Sequence, residues 1–162
     1  MDPVVDQSTI VAEPPHSIAQ ARVDDKGRLK LPSEFLEYLR KLKVDKVFIT
    51  TFDKRTARIY PISLWNSTSY LLENAGDNAR AASDLALIAK NYGGDAEIDS
   101  QGRVLMPPAL RMLFELESQP VWLDVYAGRI NVANKKFHEA RMQLAEANLE
   151  EKLLALEKMG LK

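Results

Sequence analysis

The chain has 162 residues, of which 46% are hydrophobic and 28% charged, and its formal net charge is −1 at pH 7. This composition excludes disorder for the body of the protein, and no stretch approaches the roughly 20 apolar residues that a transmembrane helix needs. Without cysteine, disulfides and thiolate metal ligands are excluded. Because the N-terminus also lacks the basic and apolar regions of a signal peptide, we expect a soluble cytoplasmic protein.

Positive charge is concentrated in one part of the chain. Residues 16–60 hold 11 Lys or Arg against 6 Asp or Glu, a net of +5, whereas residues 61–136 hold 7 against 9. Such a local excess can attract a polyanion even when the total charge is close to zero.

The first predicted elements are a flexible arm and two short strands. Residues 1–16 are acidic and rich in proline, which is typical of an arm without regular structure. Residues 18–23 and 29–31 flank the polar turn DDKG and alternate apolar with polar residues over much of their length, so we predict two strands joined by a tight connection.

A helix and a hairpin complete the first unit. Pro32 ends the second strand, and Ser33 is predicted to cap a helix whose apolar residues recur at helical spacing. Residues 44–51 and 57–60 are rich in β-forming residues around a polar turn and predict a hairpin. The unit therefore runs strand, turn, strand, helix, hairpin.

Two connecting helices precede a second unit of the same order. The first begins near Ser63, and the second spans residues 78–92 and stops at a Gly-Gly pair, a helix C-terminal signal. After the second unit, residues 137–160 predict one last helix with an apolar stripe. That stripe could either bind a partner or pack back onto the body of the protein.

One motif occurs in both units. Residues 24–32, DDKGRLKLP, recur as residues 99–107, DSQGRVLMP. Apolar positions can be retained through packing alone, whereas an Arg beside a Gly in a polar turn has no packing reason to recur. The motif therefore indicates a surface that is used twice. The matched polar and turn residues are Asp24 with Asp99, Gly27 with Gly102, Arg28 with Arg103, and Pro32 with Pro107.

The first turn presents cations. Gly27 permits a positive φ and a close approach of the backbone to a ligand, and Lys26 and Arg28 lie on either side of it, with Arg22 nearby. Arginine can grip a phosphate or make bidentate hydrogen bonds to guanine. The alternative is that Arg28 pairs with Asp24 and only braces the turn.

The second turn carries Gln101 in place of Lys26. A glutamine amide can still form hydrogen bonds with the edge of a base. The two turns could therefore divide the positioning of a nucleic acid from the reading of its sequence.

Residues suited to catalysis are scarce. The two histidines, His16 and His138, lie far apart in the sequence, and neither a P-loop nor a GxGxxG pattern is present. Residues 95–102 resemble the start of a calcium loop, but the required glycine is displaced and the closing acid is missing. We predict no enzymatic activity, no metal site and no cofactor.

The two D-x-[KQ]-G-R-x-x-x-P motifs, each followed by a short helix and a hairpin, closely resemble those of the MraZ family of bacterial transcriptional regulators. The resemblance covers residues 17 to about 145. It implies an α+β, mainly β fold in which two tandem SpoVT/AbrB-like swapped-hairpin β-barrel units form a pseudo-dimer within one chain, with peripheral helices. The implied divisions are an arm (1–16), a first unit (17–66), connecting helices (67–94), a second unit (95–138) and a C-terminal helix (139–162).

The resemblance also implies a function. Family members assemble into rings, and their loops contact repeated short DNA boxes upstream of the division and cell-wall gene cluster that contains the regulator's own gene. We therefore expect a homo-oligomeric repressor of the cytoplasm and nucleoid that binds double-stranded DNA. The expected DNA-binding residues are Arg22, Lys26, Gly27, Arg28, Gln101, Gly102 and Arg103, with Asp24 and Asp99 bracing the turns.

The family commonly has an Arg in the short helix of both copies. This chain has Arg111 in the second copy but Leu36 in the first. The alternative function is an antitoxin-like module of the same fold that binds proteins and does not read DNA specifically.

Overall fold

The computed structural model describes residues 12–162. The expectation of an α+β fold is confirmed, although helices hold more residues than strands, and the strands of its sheets pair antiparallel. The strands are β1 (Ala19–Arg22), β2 (Arg28–Lys30), β3 (Lys46–Thr51), β4 (Ala57–Pro61), β5 (Gly94–Glu97), β6 (Arg103–Leu105), β7 (Pro120–Tyr126) and β8 (Arg129–Ala133). The helices are α1 (Ser33–Lys41), α2 (Ile62–Glu73), α3 (Ala79–Tyr92), α4 (Pro108–Phe114), α5 (Lys135–Glu146) and α6 (Leu149–Glu157).

The two repeats share one sheet. Its six strands run in the order β1-β7-β8-β4-β3-β5. Hairpins β3–β4 and β7–β8 lie at its centre, and β1 of the first repeat pairs antiparallel with β7 of the second. Likewise β5 of the second repeat pairs antiparallel with β3 of the first. Each repeat therefore completes the sheet of the other.

A separate two-stranded ribbon joins β2 to β6. The predicted tight connection between the first two strands is present, but those strands meet each other only at the bridge between Val23 and Leu29. Both find their main partner in the second repeat, because β2 pairs with β6 and β1 with β7.

The core lies between the inner face of the sheet and the ribbon. Alternate residues of the central strands are fully buried, as period-2 alternation requires, and Leu29 and Val104 of the ribbon join them in one cluster. Helices α1 and α4 close the cluster with Phe35, Leu39, Leu110 and Phe114. The opposite, outer face of the sheet carries α2 and α5, through Trp65 stacked on Phe48 and His138 stacked on Trp122.

The predicted end of α3 is confirmed at Tyr92, before Gly93. Gly93 has an extended φ of −90°, so a left-handed cap is not the reason for glycine here. A Cβ at this position would lie 2.6 Å from the carbonyl oxygen of Ala89 and would overlap the ring of Phe48. The close approach of helix and strand therefore requires a glycine.

The prediction that Ser33 caps α1 was wrong. Ser33 is the first helical residue, Pro32 occupies the cap position, and no side chain caps the helix. Pro32 has φ −58° and ψ 149°, and its carbonyl accepts the N–H groups of Phe35 and Leu36. The fixed φ of proline suits this entry into a helix, and Pro107 precedes α4 in the same way.

The prediction of a single last helix over residues 137–160 was also wrong. Ala147 is extended and Asn148 is left-handed at φ +57°, a conformation that asparagine tolerates better than most residues. The chain therefore forms two helices, α5 and α6. Leu153 and Leu156 of α6 are about half exposed, so the part of the apolar stripe on α6 does not pack back onto the sheet, whereas Phe137 of α5 packs against the core. None of the helices described in residues 12–162 is long and apolar enough to span a membrane. Most of the predicted arm (1–16) falls outside the described residues.

Candidate nucleic-acid interface

The two motif turns lie at opposite ends of the β2–β6 ribbon. The pairing is antiparallel, with Leu29 opposite Val104. The carbonyl of Gly27 accepts the N–H of Met106 (2.9 Å), and that of Gly102 accepts the N–H of Leu31 (3.0 Å). Four residues separate positions 102 and 106, so the strand rise of about 3.4 Å per residue places the turns about 14 Å apart.

The ribbon has one buried and one outward face. Leu29 and Val104 point into the core, so their neighbours along the strands point outward. We call the outward face and the two turns the ribbon surface. In addition to the turn residues, it carries Arg28 beside Leu105 and Lys30 beside Arg103.

Two members of the ribbon surface were missed by the sequence reasoning. Neither Lys30 nor Leu105 is among the DNA-binding residues that the sequence predicted. Both would have been found by extending the repeat comparison along the strands, because Leu105 is the counterpart of Lys30. Lys30 Nζ donates to the carbonyl of Gln101, so it supports the second turn from the opposite strand.

Both turns are braced in the same way. Asp24 accepts the N–H groups of Lys26 and Arg28 at one carboxylate oxygen, each at 2.9 Å, and Arg28 Nε at the other, at 2.8 Å. Asp99 repeats the arrangement with Gln101 and Arg103, at 2.9 Å for all three bonds.

Bracing a turn and reading a ligand are therefore compatible roles for these arginines. Arg28 and Arg103 use Nε for the carboxylate. Within residues 12–162, their terminal Nη atoms form no hydrogen bond. A guanidinium held at one edge keeps its other donors in a fixed direction, which suits bidentate recognition.

The bracing carboxylates stay ionised at neutral pH. The N–H of Arg28, followed by its side chain, lowers the pKa of Asp24 to about 2, against the opposing effect of desolvation. Arg103 lowers the pKa of Asp99 for the same reasons. Because each motif arginine faces an ionised partner, the remaining positive charge of the ribbon surface comes from Lys26 and Lys30, which are exposed, and Asp25 of the first turn offsets one of these two charges.

The two turns differ in what lies beneath them. Arg111 of α4 reaches across to the first turn, where Nη1 donates to the carbonyl of Lys26 at 3.0 Å and lies 3.6 Å from Glu117. Leu36 of α1 takes the corresponding place under Gly102. The first turn is thus held by a cation and the second by an apolar contact.

Replacing Gly27 with alanine is expected to cost more stability than replacing Gly102. Both glycines have positive φ, +82° and +76°, which costs a non-glycine residue roughly 1–2 kcal/mol. A Cβ at Gly27 would also overlap the guanidinium of Arg111, whereas at Gly102 it would meet Leu36 Cδ2 at 2.7 Å, which a rotamer change relieves. Urea unfolding would measure the free energy of unfolding of the two variants.

Gly76→Ala is the matched control for this pair. Its φ is +57°, and a Cβ there meets nothing within 4 Å, so it isolates the backbone cost. If Gly27→Ala and Gly76→Ala lowered the free energy of unfolding equally, Arg111 would not support the first turn.

The structure does not bring Arg22 onto the ribbon surface. Arg22 ends β1, and its Nη1 donates to the carbonyl of Ser118 at 2.7 Å, so it holds the loop that follows α4. The calcium-like run is not a loop either, because Asp95 and Glu97 lie in β5 and Asp99 braces the second turn. Among residues 12–162, no group of His, Asp or Glu converges as metal ligands do.

The chain is similar in sequence to known regulators of transcription. No family model matches the chain. The transcriptional regulator MraZ of Acidobacterium capsulatum is 35% identical over 127 residues, covering 78% of this chain and 84% of that protein. The regulators of the same name from Koribacter versatilis and Thiobacillus denitrificans are 32% and 28% identical, over 60% and 80% of this chain and 67% and 86% of theirs.

Proposed function

This chain belongs to the MraZ family of transcriptional regulators, and from that premise we propose that it is a sequence-specific DNA-binding repressor that contacts double-stranded DNA with its ribbon surface. The observation that carries the proposal is the exposed face of the β2–β6 ribbon, where cations lie between two identically braced Gly-Arg turns. A two-stranded ribbon fits the major groove of B-DNA, where base pairs can be distinguished.

We assign the residues of the ribbon surface to two roles: some read the bases, and others attract the phosphates. Arg28 and Arg103 are the readers, because their free Nη donors can form bidentate hydrogen bonds with guanine. Gln101 adds an amide that suits adenine. Lys26 and Lys30 are exposed point charges that attract phosphate.

We further propose that the fold is the swapped-hairpin β-barrel of the SpoVT/AbrB superfamily, formed by units 17–66 and 95–138. The exchange of β1 and β5 between the repeats supports this assignment. Because each unit completes the sheet of the other, the two units act as a pseudo-dimer with its two turns on one surface.

A homo-oligomeric ring would multiply these turns. Two turns per chain offer few contacts, whereas linked copies raise the effective concentration of each turn along an array of boxes. The proposed targets are the repeated boxes upstream of the division and cell-wall gene cluster, which would place the protein at the nucleoid.

The second candidate function is protein binding through α6. Leu149, Leu153 and Leu156 follow one another at helical spacing and are each about half exposed, as in a helix that docks against a partner. This function would not depend on the ribbon surface.

DNA binding is expected to weaken steeply with added salt, because phosphate neutralisation releases counterions. Replacing Lys26 with alanine should weaken binding to all sequences alike and reduce the salt slope by about 1. Fluorescence anisotropy titrations over a range of salt concentrations would measure both effects.

Lys90→Ala, on the exposed surface of α3, is the matched control and should leave the slope unchanged. Selection of bound fragments from the source genome tests specificity in parallel. Salt-insensitive binding, or enrichment of no repeated box, would contradict the proposal and favour protein binding through α6.

A further inference from the structure

A cavity of about 420 Å³ lies on the outer face of the six-stranded sheet, between the β4 and β8 strands and helix α5. Its volume falls within the range of small-molecule sites, about 300–1,000 Å³. Four arginines line it, together with Asp53 and Asp124. The ribbon surface lies on the other side of the core, so DNA bound there would not reach this cavity. The four arginines that line the cavity are Arg55, Arg58, Arg129 and Arg141.

Two of these arginines are close neighbours on the sheet. Arg58 of β4 pairs with Asn131 of β8, and Arg129 lies two residues before Asn131. Their chain neighbours Ile59 and Ile130 are fully buried, so both arginines point to the outer face. Such diagonal positions place Cβ atoms at most about 7–8 Å apart, well within reach of two long side chains.

Both carboxylates of the cavity already accept hydrogen bonds from neighbouring groups. Asp124 accepts hydrogen bonds from Arg141 (3.2 Å) and Asn131 (3.3 Å). Asp53 caps its own turn by accepting the N–H groups of residues 55 and 56 at 2.8 and 3.0 Å. Within residues 12–162, neither Arg58 nor Arg129 forms an ion pair. Among the described residues, these two like charges therefore share the cavity without a direct ion pair to either carboxylate.

Aromatic rings fix the two guanidinium groups. Arg58 Cζ lies 5.2 Å from the centroid of the Phe52 ring, and its Nη1 donates to Tyr60 Oη at 2.9 Å. Arg129 Cζ lies 5.2 Å from the centroid of the Tyr126 ring. Stacking uses the flat faces of the guanidinium groups and leaves N–H donors at their edges. Burial, followed by the charge of Arg58, lowers the pKa of Arg129 against the opposing effect of Asp124, as desolvation and a neighbouring like charge do for a cation.

We propose that this cavity binds a small oxyanion, a free phosphate or carboxylate group, between Arg58 and Arg129. The edge of a guanidinium group matches a pair of oxygens in a phosphate or carboxylate and forms strong charge-assisted hydrogen bonds with them. The anion would also remove the repulsion between the two arginines. Phe137 and Leu144 line the same cavity and provide an apolar wall, so an organic phosphate or carboxylate with an apolar body fits as well. This site is independent of DNA binding.

Isothermal titration of the full chain with inorganic phosphate, against chloride at equal ionic strength, tests the proposal. We expect saturable binding that weakens at least about tenfold in the Arg58→Met, Arg129→Met variant, because charge-assisted bonds to both guanidinium groups are lost. The Arg40→Met, Arg80→Met variant removes the same charge from exposed helix positions and should bind phosphate normally. The Arg28→Ala, Arg103→Ala variant should also bind it normally, because its substitutions lie on the ribbon surface.

Each alternative outcome overturns the site. The proposal is wrong if phosphate still binds to the Arg58→Met, Arg129→Met variant. It is also wrong if the Arg28→Ala, Arg103→Ala variant loses phosphate binding, or if the wild type does not bind phosphate. If the double variant fails to fold by circular dichroism, Arg129→Lys keeps the charge and should still bind phosphate more weakly, because lysine cannot form a bidentate pair. Unchanged affinity in Arg129→Lys would then count against the proposal. DNA binding can fail without affecting any of these results.

Discussion

Replacing both Arg28 and Arg103 with alanine is expected to abolish sequence-specific DNA binding in a protein that remains folded. Within the described part of the chain, the terminal donors of both side chains form no hydrogen bond, and each bidentate contact with a base contributes roughly 1–3 kcal/mol of discrimination. Both side chains are partly exposed, so truncation leaves no cavity. Gel shift and fragment selection, beside the wild type, would measure the loss.

A loss of binding could also come from a disordered turn, since Arg28 Nε braces Asp24. The Asp24→Asn, Asp99→Asn variant is the control. It removes the ion pairs but keeps both arginines, and an asparagine oxygen can still accept the backbone N–H groups of the turn. We expect this variant to retain most of the specific binding. Unchanged DNA binding by the folded double-alanine variant would exclude the arginines as readers.

Replacing Leu29 with alanine is expected to destabilise the protein by about 2–5 kcal/mol, as for other fully buried leucines. Leu29 is 0% exposed and links the ribbon to the core. The loss combines the transfer of a large side chain with the cavity left behind. A destabilised ribbon would also separate the two turns from their common support, so DNA affinity should fall with stability.

Leu105→Ala provides the comparison within the same ribbon. Leu105 is 53% exposed, so its truncation should change stability by no more than about 0.5 kcal/mol. Urea unfolding, followed by tryptophan fluorescence and circular dichroism, gives both values. If the two substitutions lowered the free energy of unfolding by similar amounts, the inner face of the ribbon would not pack against the core.

The local features of the fold and most of the site could be predicted from the sequence. The turns, the hairpins and the end of α3 depend on glycine, proline and strand patterns that act over a few residues. The repeated Gly-Arg motif identified both turns and the family. Ser33 and the single last helix were misjudged because a proline at the cap position and a left-handed Asn148 carry only weak sequence signals.

Which strands pair was decided only by the tertiary structure. The apolar pattern of β1 suits either hairpin, because both hairpins present similar inward residues, and only the closure of one shared core selects β7 as its partner. That same choice places the two turns at opposite ends of one ribbon and aligns Lys30 with Arg103. The sequence by itself therefore determined the repeated unit, its polar turns and the family. The ribbon surface and the proximity of Arg58 to Arg129 arise from contacts between distant segments, which no local pattern specifies.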